Sequence, residues 1–195
     1  MTIDIEELRA EAVRITRRGY ERGLTVGVSG NTSLLIPGMD QILIKRSGVS
    51  FGDVTAEDFL LVSLNGEVLE GNGRPSKEIN FHLGIYRARP DVGGVFHGHA
   101  PHTTAYAVAG KVPPLVTLAG TKGLGEVPLV GFAPAGSQEL AGLVTAAFGD
   151  PAVKAALLER HGSVTVGPDL KSAYHLADLL EDTAKVALLT KLVSL

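Results

Sequence analysis

Residues 95–100 read VFHGHA, so two of the chain's six histidines stand two apart inside an apolar run. On an extended strand, residues i and i+2 face the same side. His97 and His99 would then present two imidazoles together, a pair able to chelate one metal ion. The alternative is two core histidines hydrogen-bonded to backbone. Gly98 between them removes bulk on the opposite face. A catalytic zinc keeps three protein ligands and an open position, and His161 is the candidate third ligand. It stands in ERHGS, where a helix is predicted to end just ahead of a strand. Taken alone, it would read as a helix C-terminal histidine favoured by the dipole. Glu78, in the first turn of the helix predicted after PSKE, is the candidate fourth group; otherwise it simply complements a helix N-terminus. Such a set suits formation of an enediolate or enolate. A metal polarises a carbonyl, and a carboxylate moves the proton if desolvation raises its pKa toward working pH.

Three short segments before the histidine pair could serve an anion. SGNTS (29–33), RSG (46–48) and PSK (75–77) place Ser, Gly or Asn in loops or helix starts, offering backbone N–H groups and hydroxyls. Arg46 and Lys77 add positive charge. Each segment singly is ordinary turn chemistry. His82, one helical turn after Glu78, could orient that glutamate or be a buried structural histidine. Arg160 reads as a solvated helix-end charge or a contact for a substrate anion, and His175 as an ordinary residue of the last helix.

The elements that must position these residues alternate. Helices are predicted over 4–22, from Ser76 as cap to Pro90, from Pro101 to Gly110, from Ser137 as cap to Phe148, from Pro151 to Glu159 and from Pro168 to Leu192. Strands are predicted over 33–36, 41–45, 60–64, 67–69, 92–99, 127–132 and 163–166. Asn65-Gly66 marks a hairpin. Hairpins exclude a purely parallel doubly wound sheet, so a mixed or antiparallel sheet with helices on its faces is expected. With no repeat and no linker, residues 1–195 read as a single domain.

The 195 residues carry a net charge of −3 with both signs interspersed and no basic stripe, so nucleic acid is not an expected partner. The chain contains no cysteine, which excludes disulfides and thiolate metal sites and fits a cytoplasmic protein. The first residues lack the pattern of a secretory signal, and no apolar run is long enough to span a membrane.

Taken as an ordered set, Ser29-Gly30-Asn31, Ser47-Gly48, Pro75-Ser76-Lys77-Glu78, His97-Gly98-His99 and His161-Gly162 resemble the class II sugar aldolase and L-ribulose-5-phosphate 4-epimerase family over nearly the whole chain. The resemblance implies an α/β fold, a three-layer α/β/α sandwich around a mostly antiparallel sheet. It implies one zinc per subunit held at His97, His99 and His161, with Glu78 as catalytic acid/base. It assigns Asn31, Ser47, Gly48, Ser76 and Lys77 to the phosphate of a small sugar substrate. It further implies a cytoplasmic homotetramer with sites at subunit boundaries. The expected reaction is cleavage of a short phosphorylated ketose, of the L-fuculose-1-phosphate kind, to dihydroxyacetone phosphate and an aldehyde. Three departures stand out. Lys77 replaces the serine of many aldolases and is associated more with 3-oxo-tetronate 4-phosphate decarboxylases. Phe132 falls where an aldolase tyrosine is expected, and no segment after Leu195 supplies the second one. The proton donor to the leaving aldehyde is thus unassigned, with Tyr106 and His102 merely near the pair in sequence. Epimerisation is the least supported of the family reactions. A third expectation to test is a scaffold like the adducin head domain, which lacks the ligands; the presence of all three histidines and Glu78 argues against it.

Overall fold

The computed structural model describes residues 4–193. Its centre is an eight-stranded sheet of order β4-β3-β2-β1-β5-β8-β7-β6. The strands are β1 (Asn31–Leu35), β2 (Gln41–Lys45), β3 (Phe59–Ser63), β4 (Val68–Glu70), β5 (Gly94–Gly98), β6 (Leu129–Val130), β7 (Ala155–Leu158) and β8 (Gly162–Gly167). Neighbours run antiparallel except β6 beside β7. Six helices cover the sheet: α1 (Ile5–Glu21), α2 (Ile79–Ala88), α3 (Pro101–Val108), α4 (Leu118–Leu124), α5 (Gln138–Ala147) and α6 (Leu170–Val193).

Alternation along the strands divides the core into two layers. Ile42, Ile44, Leu60, Val62, Val95 and Val164 pack with Phe81, Leu83, Ile85 and Tyr86 of α2 and Leu140 and Val144 of α5. The intervening Leu43, Phe59, Leu61 and Phe96 face Ile15 of α1 and Tyr174 of α6, and further along the same face α3, α4 and α6 pack over Ala155 and Leu157. The fold is therefore the three-layer α/β/α sandwich with a mostly antiparallel sheet.

Local signals account for most boundaries. Asp4 accepts from the Glu6 and Glu7 amides to start α1, and Ser137 accepts from Leu140 to start α5. Pro101 opens α3. The Asn65-Gly66 hairpin forms, with Gly66 at φ 91°.

Three expectations are corrected. The segment 151–159 is not a helix. Asp150 folds the chain into a turn, its carboxylate accepting from Ala152 and its carbonyl from Val153. The following Ala155–Leu158 is then a strand buried on both faces, whose unbroken apolar run lacks the alternation that marks a half-buried strand. Consequently His161 lies in the β7–β8 hairpin turn, not at a helix end. Ser76 does not cap α2: the helix begins at Ile79 with Glu78 at the N-cap, and Ser76 Oγ instead accepts from the Glu78 amide at 3.3 Å.

Candidate active site

The pairing of β1, β5 and β8 gathers the site. Asn31 is in register with His97, and His97 with Val164. His97 ends on the α2 face of the sheet, its ring edge-on to Phe81 at 5.6 Å. His99 follows just past the end of β5, held by its amide donating to the Leu24 carbonyl at 2.9 Å. Gly98 is needed there, because a Cβ would meet the Leu24 carbonyl oxygen at 2.6 Å. His161 arrives from the hairpin turn, where Arg160 takes φ 58°.

Ring centroids of His97 and His99 are 4.6 Å apart, of His97 and His161 4.9 Å, and of His99 and His161 5.1 Å. One ring nitrogen from each lies within 4.8 Å of the others, so the three could hold a metal ion. Glu78 closes the group, with Oε2 3.2 Å from His97 Nε2 and Oε1 3.3 Å from His161 Nε2. His97 Nδ1–H donates to the Ser163 carbonyl at 2.9 Å, which fixes the tautomer and aims Nε2 at the centre. That Nε2 and Glu78 Oε1 are both buried without a hydrogen-bond partner. Orphaned buried polar atoms that converge are costly unless something binds them, and imidazole plus carboxylate is a donor set suited to a divalent ion.

Charge follows the same geometry. Burial, with His97 and His161 adding to it, pushes His99 down to about 3. Burial and His97 lower His161 to about 4. Both rings are neutral and ready to ligate near neutral pH. Burial alone would lower His97, but the Glu78 carboxylate more than offsets it and holds that ring above its ordinary value. Burial likewise pushes the Glu78 carboxyl up, yet the His97 and His161 rings and the Asn31 amide pull it below the usual carboxylate range. This corrects the expectation that desolvation would lift Glu78: the imidazole partner wins.

A cleft of about 390 Å³ opens on this centre, and Asn31, Ser47, Gly48, Ser76 and Lys77 all line it with Glu78, His99 and His161. The anion segments are tied together, Ser47 N–H donating to the Arg74 carbonyl at 2.9 Å beside an Arg46–Pro75 bridge. Gly30, at φ 77°, packs against the His97 carbonyl, joining the SGN loop to the strand that carries His97. Arg46 lines the cleft and pairs with Asp58. Lys45 was not anticipated. It is 1% exposed, donates to the Arg46 and Val49 carbonyls at 3.1 and 2.5 Å, and is lowered to about 8 by burial against the opposing pull of Asp58. Its signal was a lone lysine closing the apolar strand QILIK.

Other sequence candidates fall outside. Tyr106 Oη is buried without a partner in the α3–α4–α6 layer, and His102 pairs with Glu181 at 2.6 Å. Arg160 stacks on the exposed Phe132 ring at 5.1 Å, and His175 is exposed on α6.

The family model described as Class II Aldolase and Adducin N-terminal domain matches residues 10–188. The chain is 34% identical over 176 residues to L-fuculose phosphate aldolase of Methanococcus maripaludis, covering 90% of this chain and 93% of that protein. It is 32% identical over 191 residues to 3-oxo-tetronate 4-phosphate decarboxylase of Pectobacterium atrosepticum, covering 93% and 84%. The crystal structure of L-fuculose-1-phosphate aldolase from Thermus thermophilus superposes with a TM-score of 0.84 at 28% identity, covering 96% of this chain and 95% of that one. With the fold, the histidine cluster and these matches in agreement, the chain belongs to the class II aldolase and adducin N-terminal domain family.

Proposed function

We propose that this chain is a metal-dependent aldolase that cleaves a short phosphorylated ketose, of the L-fuculose-1-phosphate kind, to dihydroxyacetone phosphate and an aldehyde. The observation that carries this reading is one cleft lined by the anion segments, Glu78 and two of the three histidines, with the third directly beneath. His97, His99 and His161 would hold the ion, zinc being the metal best matched to three imidazoles and an open position. When bound, it supplies a Lewis acid that draws electron density from the substrate oxygens.

The chain's own residues do the rest. Ser47, Gly48 and Ser76 offer hydroxyl and backbone donors to the phosphate, and the exposed Lys77 supplies charge at the cleft edge. Asn31 holds Glu78 by a 2.9 Å hydrogen bond. Glu78 moves the proton at the carbon beside the triose carbonyl. The family resemblance carries the proposal of a homotetramer with its sites at subunit boundaries.

Lys77 favours a second reading, a 3-oxo acid phosphate losing carbon dioxide at the same site; similarity to the Pectobacterium decarboxylase supports it as well. Metal-loaded protein offered both substrate types separates the two. Aldehyde release that stops on chelation supports the aldolase; carbon dioxide without aldehyde overturns it in favour of the decarboxylase; neither product from any phosphorylated substrate overturns both.

A further inference from the structure

Behind Glu78 runs a line of buried side chains that metal binding does not use, and it starts at Asn31, whose side-chain amide, expected at the phosphate, is instead committed to Glu78 and His82. Asn31 Nδ2 donates to Glu78 Oε2 at 2.9 Å. Asn31 Oδ1 meets His82 Nε2, His82 Nδ1 meets Ser33 Oγ at 2.7 Å, and Ser33 Oγ meets Tyr86 Oη at 2.8 Å. His82 is 0% exposed. The line follows from two spacings. His82 and Tyr86 are four apart on one stripe of α2, with the N-cap Glu78 four residues before His82, while Asn31 and Ser33 are two apart and share one face of β1.

One proton arrangement satisfies every contact. A carboxylate only accepts, so Asn31 turns its amide nitrogen to Glu78 and its carbonyl to His82. That carbonyl also only accepts, so His82 carries its proton on Nε2. Burial, reinforced by His97, lowers His82 to about 3, so the ring is neutral and Nδ1 accepts from the Ser33 hydroxyl. Ser33, its one proton committed, accepts from Tyr86. Each donor thus points toward the carboxylate.

We propose that His82 is a positioning residue acting through Asn31. It locks the Asn31 amide in the one orientation that donates to Glu78 Oε2, and so leaves Oε1, buried and without a hydrogen-bond partner, as the oxygen that exchanges a proton with substrate. An Asn31 released from His82 can rotate, present its carbonyl to the carboxylate and push Glu78 away. The inference rests on the reading of Glu78 as the proton-moving group.

Two measurements test it. Nitrogen-15 histidine NMR on the metal-free full chain reads the His82 tautomer, its resonance being the one absent in His82→Gln. A neutral ring protonated on Nε2 is expected; protonation on Nδ1, or a charged ring at pH 7, overturns the proposal. Second, metal-loaded His82→Gln and His82→Asn are compared for deuterium exchange from solvent into dihydroxyacetone phosphate, with metal content measured alongside. Gln places an N–H where Nε2 lies and keeps the donor to Asn31; Asn reaches only the Nδ1 position. His82→Asn should lower the exchange rate constant about tenfold or more, with KM and metal content unchanged, while His82→Gln stays near wild type. Equal loss in both variants, or no loss in either, overturns it. If the wild type exchanges no hydron at all, the reading of Glu78 falls, while the tautomer still decides whether the line of donors exists.

Discussion

Gly98→Ala examines whether backbone packing sets the histidine cluster. An added Cβ would stand 2.6 Å from the Leu24 carbonyl oxygen and 3.1 Å from Phe96 Cε1, where real Cβ contacts essentially never fall below 3.0 Å. The backbone must therefore give by roughly 0.4 Å or more. The obstructing atom is the carbonyl that receives the His99 amide, so the displacement passes directly into His99. A metal–ligand distance tolerates only about 0.2 Å either way, so the shift exceeds what three-imidazole ligation accepts. Overpacking of this kind costs about 1–3 kcal/mol, or roughly 2–12 °C of melting temperature at this chain length. The assay is a thermal melt by circular dichroism together with zinc affinity by competition with a chromogenic chelator. Gly142→Ala is the control, since its Cβ meets nothing within 4 Å on the exposed side of α5 and should stabilise by about 0.5–1 kcal/mol. Wild-type melting and zinc affinity in Gly98→Ala would refute the packing argument.

Zinc at a hundredfold excess over its dissociation constant should stabilise the stripped protein by about 2.7 kcal/mol, raising the melting temperature by roughly 5–11 °C; His161→Asn should lose most of that rise, and a wild type indifferent to metal contradicts the site. Glu78→Gln should keep the metal yet lose about 10²–10⁴-fold in turnover, measured by steady-state kinetics on metal-loaded protein. Lys45 gives a stability signature with a defined sign. Its folded pKa of about 8 lies below the ordinary 10.5, so between these values the unfolded chain binds the extra proton and native stability rises with pH, by about 3 kcal/mol at most. Urea midpoints at pH 7.5 and 10 should show this rise in the wild type and lose it in Lys45→Met; identical pH profiles contradict the assignment.

Much of the site was legible because its signals are local. The His97-Gly98-His99 spacing, the polar loops and the Asn65-Gly66 turn each act within a few residues. The β7 strand was not, because Ala155–Leu158 is covered on both faces, and a short apolar run behind a proline fits a helix equally well. The α4 helix escaped notice because Gly120 and Gly123 weaken a helical pattern, although Thr117 caps it and both glycines let it pack closely on α6, where Cβ atoms would strike Thr183 and Leu179. Lys45 and the line through His82 were hidden for a different reason. The spacings 31/33 and 78/82/86 stood in the sequence, but only the packing of α2 over β1 makes them one unit.

The two glycines that follow histidines explain how residues far apart along the chain come to share one cluster. A Cβ at Gly162 would lie 2.4 Å from the Gly98 carbonyl oxygen and 2.9 Å from His99 Cδ2. The bare Gly162 is thus what lets the β7–β8 hairpin slide under the His99 ring, just as the bare Gly98 lets His99 hang from the Leu24 carbonyl. Each histidine segment carries the gap that admits its neighbour. The three imidazoles are therefore placed by main-chain contacts around β5 and β8 at the centre of the sheet, while the segments 46–48 and 75–77 lie on loops that line the cleft. That division separates two kinds of change. Substitutions in the loops at 46–48 or 75–77, which line the cleft, should change what it binds and leave the imidazoles in place, whereas a single methyl at 98 or 162 should displace the imidazoles themselves.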